Sequence, residues 1–468
     1  MRRPRRPSPI RRRPVRAERF GEDACSYGPA MDSTRPAAPG GPVVPAAVPA
    51  APTRPAAPGG SPVTARPPAA AGPAVVGPAV TPRPALTALR LSAFKAHRGA
   101  VLPLGPVTLF AGPSGSGKSS ALQAYEALAL LGAGGPLRSA FPDPAGCVPE
   151  GAVPDAQGRR GFRIGCTVDG PAGAVRLDLA VQAEPEPRIV GERLTDADGR
   201  TLLATALRDP RRRTVQAEWH TGDRSHVTRA PLPDDRLATA LLPLRVAGST
   251  EGQRRLLAAA EQVVLALRSV FACDPRPHRM RTPVPVGEGR LRRGCDNLAE
   301  VLHRTRADCT RRHARLVAAA AAGCAGPVRD LDVERLADGT VRALLDRGDR
   351  PSGSGGAPGG AARRPGTPLE RLGDGELRYL ALALVLLTGP GVLAVDQAAE
   401  VPGALQTLTV LADGFDRGLD RWQAGELLRL AAEICAEGHM RFVATAGEAV
   451  AEAARPGEGL TVVDLRRE

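Results

Sequence analysis

Gly112, Pro113, Ser114, Gly115, Ser116, Gly117, Lys118 and Ser119 fit the pattern G-x-x-x-x-G-K-[ST], with Ser120 directly after it. In such a loop the glycines let successive backbone N–H groups converge on an anion with no Cβ in the way, and a following helix N-terminus adds partial positive charge. The lysine reaches the terminal phosphates of a nucleotide, and the hydroxyl of the next residue holds Mg²⁺. That chemistry assigns Gly112 to Ser120 to a bound nucleotide with Mg²⁺, with Lys118 on the phosphates and Ser119 as a metal ligand; the loop alone does not separate kinases, GTPases, AAA+ machines and ABC-type ATPases. Lysine is otherwise nearly absent: Lys95 and Lys118 are the only two among 63 basic residues, so a lysine at this place of the pattern is a chosen one.

The loop needs a buried strand before it and a helix after it. Val107–Ala111 is a short apolar run ending at Gly112, and Lys118–Leu131 has helical spacing that stops at Gly132. Upstream, Leu86–Phe94 reads as a strand, with Lys95 and His97 at its end as candidates to flank the nucleotide, His97 reading first as a solvated loop residue. Phe162–Val168 and Val175–Val181 have strand composition, with Asp169-Gly170 as the turn of an antiparallel meander. Leu, Ala and Arg recur at helical spacing over Gln253–Val270 and Asn297–Ala322, which predicts a helical insertion. Farther on come a helix at Glu376–Leu387, an apolar strand at Val392–Val395 followed by Asp396, and final strands at Arg441–Thr445 and Leu460–Leu465.

These readings divide the chain into a disordered Pro/Ala/Arg-rich tail (1–83), a lobe with the glycine loop and the meander (84–235), a helical insertion (236–346), a flexible Gly-rich linker (347–367) and a second lobe (368–468). The fold class is α/β. The net charge of +14 is concentrated in the tail, where the first thirty residues hold nine arginines against Glu18, Glu22 and Asp23. A mildly basic body with 3% aromatic residues lacks the stacking platform of a single-strand binder, so nucleic acid is a minor reading. It would use the arginine tail and Arg208-Asp-Pro-Arg211-Arg212-Arg213, which otherwise reads as a surface turn. Eight cysteines stand without C-x-x-C spacing and read as reduced thiols, and no apolar run approaches the length of a membrane span, so the expected location is the cytoplasm with no membrane partner.

A family comes into view across several segments. Leu86-Thr-Ala-Leu-Arg-Leu-Ser-Ala-Phe-Lys-Ala-His97, leading to Gly112-Pro-Ser-Gly-Ser-Gly-Lys-Ser119, resembles the opening of ABC-type ATPases of the RecF/SMC/OLD-like group. Val190-Gly-Glu-Arg-Leu194 and Gly294-Cys-Asp-Asn-Leu-Ala-Glu-Val-Leu302 are similar to a strand and a helix start of that group, and Leu372-Gly-Asp-Gly-Glu-Leu-Arg378 resembles its signature L-S-x-G-x-x-R. Val392-Leu-Ala-Val-Asp396-Gln397 resembles its Walker B strand. The resemblance implies a P-loop ATPase head with an antiparallel β subdomain. It implies a second Mg²⁺ ligand at Asp396, a water-orienting Gln397, and Gly373 and Gly375 closing over ATP held by another copy. An ATP-dependent homodimer follows, with the helical insertion free to meet a protein partner.

The sequence departs from the family at three places, all on the terminal-phosphate side. Gly373 stands where the signature has serine, Gln397 where a catalytic glutamate follows the aspartate, and Ala446 where a switch histidine follows the last core strand. An amide has no basic form near neutral pH, and loss of a general base costs about 10²–10⁴ in rate. The expectation is therefore an ATP-binding dimer switch with weak ATPase activity, beside a non-hydrolysing ATP-binding interaction module.

Overall fold

The computed structural model describes residues 83–220, 227–348, 366–395, 406–455, 457 and 459–465. Calls that fall on the tail, on most of the Gly-rich linker, and on Asp396 and Gln397 lie outside these residues.

β1 (Ala85–Phe94) and β2 (His97–Pro103) form an antiparallel hairpin. β3 (Val107–Ala111) follows, buried at every position, and passes through the glycine loop into α1 (Lys118–Gly132). After α2 (Leu137–Ala140) come β4 (Arg160–Asp169), β5 (Val175–Glu184), β6 (Arg188–Thr195), β7 (Thr201–Ala206), β8 (Thr214–His220) and β9 (Val227–Pro233). With the first hairpin they make one antiparallel sheet in the order β2-β1-β4-β5-β6-β7-β8-β9. Period-two patterning sets its faces: Val175, Leu177, Leu179 and Val181 of β5 are buried, whereas Arg176 between them is exposed.

α3 (Ala238–Leu241) and α4 (Glu251–Arg268) cover the inner face of that sheet together with α1. A side chain fixes the register of α4. Gln262 accepts from Ala172 N at 2.8 Å and donates to Val168 O at 3.0 Å and Gly173 O at 2.6 Å, closing the turn between β4 and β5.

Then follow β10 (Val270–Cys273), α5 (Pro277–Met280), β11 (Val284–Pro285), α6 (Leu298–Asp308), α7 (Thr310–Gly323), β12 (Asp330–Arg335), β13 (Thr340–Asp346) and β14 (Thr367–Pro368). The last stretch holds α8 (Asp374–Leu387), β15 (Leu408–Ala412), α9 (Arg421–Ala436), β16 (Met440–Thr445), α10 (Glu448–Ala454) and β17 (Leu460–Asp464). Five strands form a parallel sheet in the order β10-β15-β16-β3-β17. Its central members are near-continuous apolar runs, as burial on both faces requires. Alternate residues serve the two cores: Phe110, Leu411 and Val443 point to the side of α1, α4 and the antiparallel sheet, while Leu109, Val410 and Phe442 point to the side of α7, α8 and α9.

The α/β class and the antiparallel sheet are as the sequence predicts. Two other readings are corrected. Residues 236–346 are not a helical insertion: α4 belongs to the first core, β10 is an edge strand of the parallel sheet, and β12 and β13 form an antiparallel pair beside α6 and α7. Strands of four to seven residues between strongly periodic helices leave too little pattern to register. Val392–Val395 is not a strand of the parallel sheet; only Leu393 bridges, to Leu291, and the strand that lies between β10 and β16 is β15. Among the described residues no helix is long and apolar enough to cross a membrane.

Candidate functional site: the glycine loop and the Asp413 corner

The carboxyl ends of β3, β16 and β15 lie side by side, with Phe110 paired to Thr445 and Ala412 paired to Ala444. In open α/β sheets ligands bind at this edge, outside the strand ends. Three loops leave from it: Gly112–Gly117, Asp413 onward, and Ala446 onward.

The glycine loop can take only the residues it has at two positions. Gly112 has φ 140°, and a Cβ there would fall 2.1 Å from Leu465 O. Gly117 has φ 93°, and a Cβ there would fall 2.5 Å from Nε2 of His97. His97 is buried, with Nε2 3.0 Å from Gly117 O, so it supports the loop from below. It is not the solvated residue expected from sequence. A carbonyl can only accept, which assigns the proton of that contact to Nε2. Lys95 takes φ 49° and donates its N–H to Cys147 O, turning the chain between β1 and β2.

Lys118 opens α1, and its Nζ donates to Gly112 O at 2.6 Å and Pro113 O at 3.1 Å, folded back over the loop it belongs to. Ser119 Oγ donates to Asp413 Oδ1 at 3.0 Å. Thr445 Oγ1 donates to the same oxygen at 2.7 Å and accepts from Gly414 N at 2.6 Å. One carboxylate thus gathers hydroxyls from the helix after the glycine loop and from the neighbouring strand. Ser116 Oγ is buried in the loop with no partner among the described residues. A cavity of about 530 Å³ beside it is lined by His97, Arg98, Gly115, Ser116 and Leu465, and one of about 500 Å³ on the other side by Gly112, Pro113, Glu448 and Glu452.

Asp413 is a residue that sequence reading missed. Its signal is the run Leu408-Thr-Val-Leu-Ala412 ending in an acid, the same kind of signal as Val392–Val395 before Asp396. After Asp413 comes Gly414, and after β16 comes Ala446, whose N–H donates to Phe110 O at 3.0 Å. Neither offers a side chain able to take a proton.

The segment with Gly373 and Gly375 lies at the start of α8. Gly373 is exposed at the N-terminus of that helix, and Glu376 reaches back to its N–H at 3.3 Å. Gly375 is pressed against the loop after Asp413: a Cβ there would fall 2.3 Å from Gly418 O. Arg378 is buried and reaches the same loop, donating to Gly414 O at 3.4 Å and to Pro275 O at 2.8 Å. Burial, with Arg417 adding repulsion, holds its guanidinium below the usual arginine range.

The arginines at 208–213 form an ion-paired turn, with Arg208 to Glu218, Arg212 to Asp209 and Arg213 to Glu186 and Asp234. Glu192, from the segment resembling a family strand, is buried and accepts from Ala238 N and Thr239 N, capping α3. Burial pushes its carboxyl upward.

No protein-family model matches the chain, and no curated protein matches it. Among solved structures it is similar to an SMC head domain from Thermotoga maritima, at 15% identity over 81% of this chain and 94% of that one, with a TM-score of 0.34. It is also similar to an Smc head bound to the C-winged helix domain of ScpA, at 13% identity over 77% and 90% of the two chains, TM-score 0.36. A third is an Smc head domain with an extended coiled coil, bound to the C-terminal domain of ScpA derived from Pyrococcus furiosus, at 10% identity over 82% and 94%, TM-score 0.37. At such overlap the functional reading rests on the site's own geometry.

Proposed function

We propose that this chain binds ATP with Mg²⁺ at the loop Gly112–Ser119 and acts as an ABC-type nucleotide switch that turns ATP over slowly. The observation that carries the reading is the Asp413 corner: Ser119 and Asp413 meet at 3.0 Å at the carboxyl ends of parallel strands, beside Lys118. A hydroxyl and a carboxylate are hard oxygen ligands suited to Mg²⁺, usually completed by water and phosphate oxygens. The positive-φ glycines let the loop pack directly on Leu465 and His97 while its backbone N–H groups stay free to converge on an anion.

In this reading Lys118 leaves the carbonyls of Gly112 and Pro113 for the phosphates, the loop N–H groups from Ser114 to Ser120 cradle them, and Ser119 and Asp413 hold the ion. The metal role first read onto Asp396 passes to Asp413. The nucleotide supplies the phosphoanhydride; the chain supplies positioning and charge. Each chain carries one glycine loop and one segment at Gly373 and Gly375, so closure over ATP calls for a second copy, an ATP-dependent homodimer. Gly373 lacks the serine hydroxyl but keeps the positive end of α8.

Slow turnover is favoured by Gly414, which puts no carboxylate beside Asp413. From a common enzyme rate near 10 s⁻¹, loss of the base leaves on the order of 10⁻² s⁻¹. Phosphate release from the purified chain, followed over hours, is expected at that rate or slower. A rate of about 1 s⁻¹ or faster would show that another group takes the proton and would remove the slow-switch reading.

A further inference from the structure

Beside Asp413 the structure gathers positive charge in place of a carboxylate. Gly414 has φ 58°, and a Cβ there would fall 3.2 Å from Nη2 and 3.4 Å from Nε of Arg417. Arg417 is held there by its own backbone, its N–H donating to Gly414 O at 3.0 Å. The side chain is exposed and, among the described residues, makes no ion pair. Asp416, the carboxylate next to it, is turned to the third loop and accepts from Gly447 N at 2.8 Å. Arg378 approaches the same glycine from the buried side, and its Nε has no partner among the described residues.

Arg378 has the attraction of Asp274 to set against the repulsion of Arg417, but Arg417 has no counter-charge among the described residues, and an anion beside it would relieve that repulsion. The anion must come to an exposed spot one residue from the carboxylate that meets Ser119. The nearest candidate by position is the terminal phosphate of a nucleotide lying on the glycine loop.

We infer that Arg417 is a specificity residue for the triphosphate: its guanidinium binds the terminal phosphoryl group from the side where a catalytic carboxylate would otherwise sit. This rests on the nucleotide reading given above. Arginine stays protonated, so it draws the phosphate in but takes no proton from water. The site is thereby built to distinguish ATP from ADP and to keep what it distinguishes. Charge-assisted bonds to one phosphoryl group are worth about 1.5–3 kcal/mol, or roughly ten- to a hundredfold in affinity.

The test is calorimetric titration of the full chain with Mg·ATP and with Mg·ADP, for wild type, Arg417→Ala and Arg417→Lys. Wild type is expected to prefer ATP. Arg417→Ala is expected to weaken ATP about tenfold or more while ADP affinity moves less than twofold, with Arg417→Lys between them. ADP binding also reports that the variants are folded. If wild type binds both nucleotides and Arg417→Ala shifts both equally or neither, the role of Arg417 is overturned and the nucleotide site stands. If wild type binds neither, the site reading itself falls, and Arg417 with it.

Discussion

Asp413 and Gly414 divide the chemistry between them: the first gathers the hydroxyls of Ser119 and Thr445, and the second leaves the next position without a base. If Asp413 rather than Asp396 carries the metal, the two can be told apart by the Mg²⁺ dependence of ATP affinity. Asp413→Asn is expected to remove most of the gain that Mg²⁺ gives over EDTA, a loss on the order of tenfold, from about 1.5 kcal/mol or more for a bond to a charged group. Asp396→Asn is expected to leave that gain within about twofold. Titration of both variants with and without Mg²⁺ decides it, and the reverse pattern would restore the sequence assignment. The glycine loop was legible because its residue types are dictated locally, by conformations that only glycine reaches cheaply. Asp413 was not, because Leu393-Ala-Val-Asp396 and Val410-Leu-Ala-Asp413 are the same local message. Only pairing with β10 and β16 selects between them.

At the scale of elements, α8 and the loop after Asp413 share the apolar core through Phe415 and also meet by close backbone approach. Gly375 meets Gly418 O, so Gly375→Ala forces the helix start away from the loop and is expected to cost about 1–3 kcal/mol, as overpacking does. Gly373 has no atom within 4 Å of its Cβ position and ordinary φ, so Gly373→Ala is expected to stay within about 0.5 kcal/mol. Thermal melts of the two variants check the contrast; equal effects would mean that α8 is not held at Gly375. β1, β4 and β5 were readable as strands from composition and alternation, and α1, α4 and α8 from helical spacing or their caps, whereas β2 and β7 to β9 were not read. β10 and β12 were hidden because short strands between strong helices take their identity from distant partners, which local sequence does not encode.

Over the whole molecule, the parallel sheet separates two apolar cores and carries the site on its edge, so a change at the three loops reaches both layers. On one side α1 leaves the glycine loop and packs against α4 and the antiparallel sheet; on the other, α8 and α9 start beside the Asp413 loop. Arg293 pairs with Glu126 of α1, tying that helix to the segment after β10. This arrangement is suited to a switch, in which nucleotide draws the starts of α1 and α8 toward a shared charge. Such a switch requires that ATP be bound through Lys118. The measurement is calorimetric titration of Mg·ATP into the purified chain and into Lys118→Ala. Saturable binding is expected for the first and a loss of roughly ten- to a hundredfold for the second, from about 1.5–3 kcal/mol of charge-assisted bonding. No binding by the unaltered chain, or equal binding by both, would contradict it.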